Sequence, residues 1–397
     1  MSSSVLGHLT LGYQLVWNRQ RQVAGVLLFI EQPDAKAVDA AHLLTTLAQA
    51  WSGQSPQLIL CVQSQGLLRD LLEHAAPDGP WIAVPQDCLP DPVLAAQVCA
   101  AHARGLQLVR RGDAIAPSDD ATDGCFSIVI ATYDATSSAL PALALAPNVS
   151  RIVQGLPSRA LADRHLDAPE VWGVAGWPVE DAAHGQRRQS IPPDKAGIAR
   201  LVRHTDADVP LEMIEHTLDD DPVLVYRFLL HINSPALGLR SQIESLRHGL
   251  MMLGLSNFKR WLLEQSPTAS DDLDLQPVRK SIVVRARLTE QLLDAGDEDA
   301  LRSEIYLCGL LSQIDLVLGE SMASALQRVP LSERITSAIR GKSGPYAPYL
   351  AIAAALEYPL MKALPQFCET HQIDMGDVNR VLLRVLAQVQ PRVAKER

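Results

Sequence analysis

Up to about residue 180, short apolar runs alternate with amphipathic stretches. Leu9–Val16 and Val23–Ile30 read as strands, with Trp17-Asn18-Arg19-Gln20-Arg21-Gln22 as the turn of a hairpin between them. There follow a helix at Ala37–Trp51, a strand at Leu58–Val62, a helix at Gly66–Ala75, a strand at Trp81–Val84 and a helix at Pro92–Arg104, then strands at Leu106–Val109 and Ser127–Thr132. Strand and helix in alternation predict parallel β/α units, because a parallel pair needs a long crossover, and hence a barrel-like or doubly wound α/β domain. The polar, proline-containing run His184–Pro193 reads as a linker. Beyond it the strand signals stop. Asp221-Pro222 supplies an N-cap and a first-turn proline, and Leu224, Phe228 and Ile232 recur at helical spacing, with Val225 and Leu229 widening the stripe. Similar stripes run through Val278–Leu293, Leu301–Leu318 and Val378–Val389, which predicts a helical bundle. The expected organisation is residues 1–183 as the α/β domain, 184–194 as the linker and 195–397 as the helical domain.

Composition narrows the class. The 397 residues are 47% hydrophobic and 20% charged, as in a folded chain long enough for two cores. No run approaches the ~20 apolar residues that span a bilayer, and Met1–Thr10 lacks a basic segment followed by an apolar one. No membrane association and a cytoplasmic location are therefore expected. A net charge of −10 disfavours general nucleic-acid binding, which needs a surplus of Lys and Arg on one face. Cys61, Cys88, Cys99, Cys125, Cys308 and Cys368 are scattered without a C-x-x-C pair, so buried reduced thiols are expected and no cofactor is implied.

The most informative segment is Asp221–Trp261, with Asp221, Pro222 and Leu224 opening a helix and Asn233-Ser234 closing it. Gly238-Leu239, Ile243, Ser245-Leu246-Arg247 and Leu253-Gly254 then follow in order. This closely resembles the HDOD domain signature, and the resemblance extends over roughly Lys195 to Gln390, with a G-L-L motif at Gly309-Leu310-Leu311. From their chemistry, Asn233 and Ser234 are expected to finish the helix before Pro235, and Gly238 and Gly254 to relieve the backbone. A binding role is the alternative, in which Asn233, Ser234, Arg240 and Arg247 present a polar helix end to an anion or a partner loop.

HDOD domains resemble the HD phosphohydrolase superfamily, whose metal site takes an adjacent His-Asp pair after an apolar helix. The matching positions here are Ser312 and Gln313, and no histidine occurs between His248 and His371. The first half resembles the EAL domains that hydrolyse cyclic di-GMP, through Tyr13-Gln14-Leu15-Val16, the hairpin and Gly25-Val26-Leu27-Leu28-Phe29. That resemblance implies a metal-binding glutamate where Leu27 stands, and a Lys and an Asp where Val129 and Ala131 stand in Ile128-Val129-Ile130-Ala131. Without clustered carboxylates two hard cations cannot be held to activate water. At about 190 residues this half is also shorter than the ~250 of a full barrel, which predicts missing strands or helices.

Lesser candidates have bland explanations. Ser118–Asp123 reads as a solvated acidic turn, His231 and His248 as part-buried rings, and Asp315 and Glu320 as solvated or capping residues. Arg279, Lys280, Arg285 and Arg287 read as a face neutralised by Asp271, Asp272 and Asp274. The expectation is a non-enzymatic bacterial signalling protein, a degenerate EAL-like barrel followed by an HDOD domain, with an unidentified protein partner. A cyclic dinucleotide sensor that binds without hydrolysis is the alternative.

Overall fold

A computed structural model describes residues 5–32, 38–112, 122–133, 149–184, 189–237, 243, 245–293, 298–359 and 362–389. Eight strands close in chain order into a barrel: β1 (Thr10–Trp17), β2 (Val23–Glu31), β3 (Gln57–Val62), β4 (Trp81–Pro85), β5 (Leu108–Arg111), β6 (Ile128–Thr132), β7 (Ser150–Gln154) and β8 (Val171–Ala175). β1 is antiparallel to both neighbours and the other pairs are parallel. The expected hairpin is β1–β2, its turn held by Asn18 Oδ1, which accepts from the Gln20 and Gln22 amides at 2.9 Å.

Side-chain caps start the crossover helices α1 (Ala40–Ala50), α2 (Gln65–His74), α3 (Pro92–Ala103) and α4 (Arg159–Leu166), through Asp39, Ser64, Asp91 and Ser158 respectively. Of the strands or helices expected to be missing, the strands are all present. The economy lies in the crossovers: among the described residues only a 3₁₀ turn, Asp123–Cys125, lies between β5 and β6.

Alternate strand residues fill the barrel with alkyl and aromatic groups, namely Val16, Leu27, Phe29, Ile59, Cys61, Ala83, Val109, Ile128, Ile130, Ile152 and Ala175, with Trp81 and Trp172 packed against them.

The chain forms two compact units, Val179–Ala353 and the barrel joined by Ala354–Arg397, so the helical domain does not run to the C-terminus as expected. The reason is a gap in the barrel seam. β1 pairs with β8 only at Val16↔Ala175 and Trp17↔Val174. Further along β1, the Tyr13 N–H donates instead to the Leu356 carbonyl at 2.9 Å. A Cβ on Gly12 would stand 2.4 Å from the Tyr358 carbonyl oxygen, so this approach requires glycine. After α17 (Leu364–Thr370), α18 (Met375–Ala387) seals the same unit, because buried Asn379 donates to the Leu6 and Leu9 carbonyls at 2.8 and 2.7 Å.

The other unit is helical: α5 (Val179–His184), α6 (Lys195–Asp206), α7 (Leu211–Asp219), α8 (Pro222–Ile232), α9 (Leu246–Leu253), α10 (Leu255–Gln265), α11 (Leu275–Leu292), α12 (Asp299–Leu311), α13 (Ile314–Leu318), α14 (Met322–Gln327) and α15 (Glu333–Thr336), with α16 (Ala347–Ala355) crossing its end. Asp221 caps α8 as expected, accepting from the Val223 and Leu224 amides. α11 and α12 pack closely because a Cβ on Gly309 would lie 2.6 Å from Ala286 Cα, which accounts for the glycine of the G-L-L motif. The stripe expected as one helix at 301–318 is broken at Ser312-Gln313.

The described end of the expected linker is no free tether. Ile191 is buried and its amide donates to the Val317 carbonyl at 2.9 Å, while Arg279 Nη2 donates to the Pro192 carbonyl at 2.6 Å. Asp194 is buried as well, where Gln276 donates to its side chain at 3.0 Å. The prolines that signal a linker here deliver a strap onto the helical unit.

Candidate functional site

In a β/α barrel, side chains that do chemistry project from the C-terminal ends of the parallel strands. Leu27 lies midway along β2 and is wholly buried beside Phe29 and Ile59. The position that the EAL resemblance assigns to a metal-binding glutamate is therefore sealed by an alkyl group. Val129 and Ala131 are also buried, but they alternate with the inward-facing Ile128 and Ile130 and so lie on the outer face of the sheet. The inward positions on β6 are Ile128, Ile130 and Thr132, one residue out of step with the expected match. Arg240 and the stretch Ser118–Ala121 lie outside the described residues; Asp123 is paired with Arg110 at 3.0 Å.

Above the apolar interior lies a polar layer that, among the described residues, carries no cluster of acids. The Arg111 guanidinium sits 5.3 Å from the centre of the Phe29 ring. Gln154 Nε2 donates to Thr132 Oγ1 at 3.1 Å. Gln14 Oε1 and Gln154 Oε1 are buried without a hydrogen-bond partner among the described residues. Burial pushes the Cys61 thiol up to about 12 despite the opposing effect of Arg111, so it stays protonated and is a poor ligand.

In the helical unit, Asn233 ends α8 as a staple. Its Nδ2 donates to the Leu229 and Ile243 carbonyls, each at 2.9 Å, and its Oδ1 accepts from the Ile243 amide at 2.8 Å. All of its described bonds are internal. The Ser234 amide donates to the His231 carbonyl and the Ser234 carbonyl accepts from the Leu237 amide, which makes the turn. Gly254 has φ 75°, the backbone angle expected of it. Arg247 Nε donates to Glu215 Oε2 at 2.9 Å, and Glu212 lies 3.8 Å from another of its nitrogens. His231 stacks on Trp261, and His248 is exposed.

At the break between α12 and α13, Ser312 Oγ donates to the Gly309 carbonyl at 2.6 Å. The Gln313 carboxamide, with its oxygen turned to Arg285, accepts from both guanidinium NH₂ groups at 3.1 and 3.2 Å. Where the HD resemblance implies metal ligands, an amide thus faces a fixed cation. Glu320 pairs with Arg328 and accepts from Ser324. Of the basic residues of α11, Arg279 is buried against Pro192 and Asp221, Arg285 meets Gln313, and Arg287 reaches Glu290 and His216.

That last contact belongs to a titratable cluster with no motif to announce it. Arg287 Nη2 donates to His216 Nδ1 at 2.6 Å, and its guanidinium stacks 4.6 Å from the Tyr306 ring centre. The Tyr306 hydroxyl donates to the Asp219 carbonyl at 3.0 Å. Burial pushes the Asp219 carboxyl up to about 8 against the pull of Arg287; burial and Arg287 together lower His216. Among the described residues, no group of three or more His, Cys, Asp or Glu is arranged to hold a metal ion, and no helix is long and apolar enough to cross a membrane. Among the described residues, the donor sets at the barrel and at the helix break do not fit the divalent ions that the two resemblances imply.

Residues 191–335 match the HDOD domain. The match begins at the strap residue Ile191, four residues before α6. The chain is also similar to the Cyclic di-GMP phosphodiesterase CdgJ of Vibrio cholerae, at 21% identity over 50% of this chain and 46% of the relative. It is 25% identical to YuxH of Bacillus subtilis over 37% of this chain and 36% of that one. The matches therefore span less than half of either relative. Among solved structures, the MmoQ response regulator from Methylococcus capsulatus aligns at 18% identity over 47% of this chain and 98% of its own, with a TM-score of 0.38. A virulence factor from Campylobacter jejuni gives 16%, 52%, 96% and 0.37 in the same terms, and the EAL enzyme Bd1971 in its cGMP-bound form gives 10%, 43%, 60% and 0.31.

Proposed function

We propose that this chain is a signalling protein that acts by engaging a protein partner and hydrolyses no phosphodiester. The observation that carries this is Leu27, fully buried in an alkyl-lined barrel where hydrolysis of the EAL type requires a carboxylate on a divalent ion. Similarity to a cyclic di-GMP phosphodiesterase supports the signalling context. Exposed methionines support a protein partner: Met213 on α7 and Met251 and Met252 on α9 are 49%, 60% and 55% exposed. The test is turnover of cyclic di-GMP by the full chain with Mg²⁺ or Mn²⁺, followed by chromatography. No product is expected, and product formation that a chelator abolishes overturns the proposal.

A second reading rests on the polar layer of the barrel. Arg111 and the two unpartnered glutamine oxygens supply a cation and acceptors suited to the phosphate and base edge of a nucleotide, without a metal. It implies sensing rather than hydrolysis. Calorimetry with cyclic di-GMP in chelator separates the two: saturable heat that Arg111→Ala removes favours the sensor, and its absence at high micromolar ligand eliminates it.

A further inference from the structure

Four of the six cysteines are locked away. Burial pushes Cys61 and Cys308 up to about 12 and Cys368 up to about 11, so all three remain thiols. Cys88 is buried and accepts from Gln65 Nε2 at 3.3 Å. The remaining two face each other. The Cys99 and Cys125 sulfurs lie 3.7 Å apart, across 26 residues of sequence. Cys99 is half-buried on α3, and Cys125 ends the 3₁₀ turn that leads into β6. Beside them a cavity of about 400 Å³ is lined by Cys125, His102, Asp123 and Phe126, among others, so a small reagent meets Cys125 from the cavity and Cys99 from its partly exposed side.

We propose that Cys99 and Cys125 form a reversible redox pair, closing to an intramolecular disulfide in the presence of a peroxide. The thiolate of Cys99, the more exposed of the two, attacks one peroxide oxygen. The O–O bond breaks, hydroxide leaves and a sulfenic acid forms. The Cys125 sulfur then attacks that sulfur and expels its hydroxyl as water. In sum, two thiols and one hydrogen peroxide give one disulfide and two waters, the sulfurs losing the two electrons the peroxide gains. A dithiol reverses the step by exchange.

Sulfurs in van der Waals contact must still approach to the ~2.05 Å of a bond. The turn has room to allow it, because nothing lies within 4 Å of the place a Cβ on Gly124 would occupy. The bond would clamp α3 to the start of β6 and enclose β5 in a covalent loop, reinforcing the Arg110–Asp123 pair that already joins β5 to the turn.

The full chain is treated with hydrogen peroxide in native buffer, alkylated, and digested without reductant for mass spectrometry. Two of the six thiols should be lost, a peptide linking Cys99 to Cys125 should appear, and dithiothreitol should restore all six. Cys99→Ser, with its circular dichroism unchanged, should abolish the link, and oxidised wild type should show a raised thermal midpoint that dithiothreitol returns. Retention of all six thiols, linkage through any other cysteine, or sulfinic acid at Cys99 without a link overturns the proposal. The wild-type measurement decides even if a variant misfolds.

Discussion

Leu27 and Gln313 stand at equivalent points of two resemblances, each where a metal ligand is implied, and their surroundings differ. Leu27 is enclosed by hydrocarbon, with Phe29 and Ile59 beside it. Gln313 remains polar and is satisfied by Arg285, as Ser312 is by the Gly309 carbonyl and Asn233 by its three bonds. A barrel interior offers few internal partners for a polar group, so an alkyl group there gains transfer energy at once. A helix break leaves free carbonyls and amides, so polar side chains are stabilising there. The barrel is therefore intolerant of returning charge, while the helical unit depends on keeping its polar residues.

Leu27→Glu should give the largest effect. It places a carboxylate in a fully buried apolar site and should lower stability at neutral pH by about 4 kcal/mol or more, read by denaturant titration. If the variant instead matches wild type and gains stability with Mn²⁺, the barrel retains a cation site and the contrast collapses.

Asn233→Ala comes next. It strands the Ile243 amide and two carbonyls and should cost about 2–3 kcal/mol, whereas Ser234→Ala, whose contacts in the turn run through its backbone, should cost under about 0.5 kcal/mol. Equal losses for the two would contradict the staple. Gln313→Leu should cost about 1 kcal/mol through the lost guanidinium bonds. A gain in thermal midpoint would show that the α12–α13 break, like the barrel, prefers hydrocarbon.

The sequence carried much of this. Short apolar runs located β1 to β6, and the Asp-Pro cap and Asn233-Ser234 located α8 and its end, because those signals are local. Phase was not legible on β6: alternation says that Val129 and Ala131 share a face, yet only the closed barrel says which face is inside. Nor was the seam, since Gly12 reads as an ordinary strand glycine until the Tyr358 carbonyl lies against it. The Asp219–His216–Arg287–Tyr306 cluster joins three helices and forms no contiguous motif. The sulfur contact between Cys99 and Cys125 is likewise tertiary, as their spacing fits no known pattern.

That cluster gives the smallest predicted effect, and the one with a defined sign. With its carboxyl at about 8 in the folded chain and about 4 unfolded, Asp219 takes up a proton on folding between those values. Proton uptake on folding makes this group's contribution full below about pH 4 and lost progressively as pH rises through about 8. His216, lowered by burial and by Arg287, acts in the opposite sense: its contribution is present above its unfolded value of about 6.5 and is lost on acidification. Between about pH 6.5 and 8.5, Asp219 should therefore dominate, facing Arg287 and Glu290 from α11, Tyr306 from α12, and Glu215 and Asp220 from its own stretch. Asp219→Asn removes the titration while keeping the shape. Denaturation midpoints at pH 6.5 and 8.5 should draw together in this variant, mainly because the variant is the more stable at the higher pH. If the gap stays as wide as in wild type, the alkaline loss arises elsewhere, and the helical unit tolerates a buried charge that the barrel at Leu27 would not.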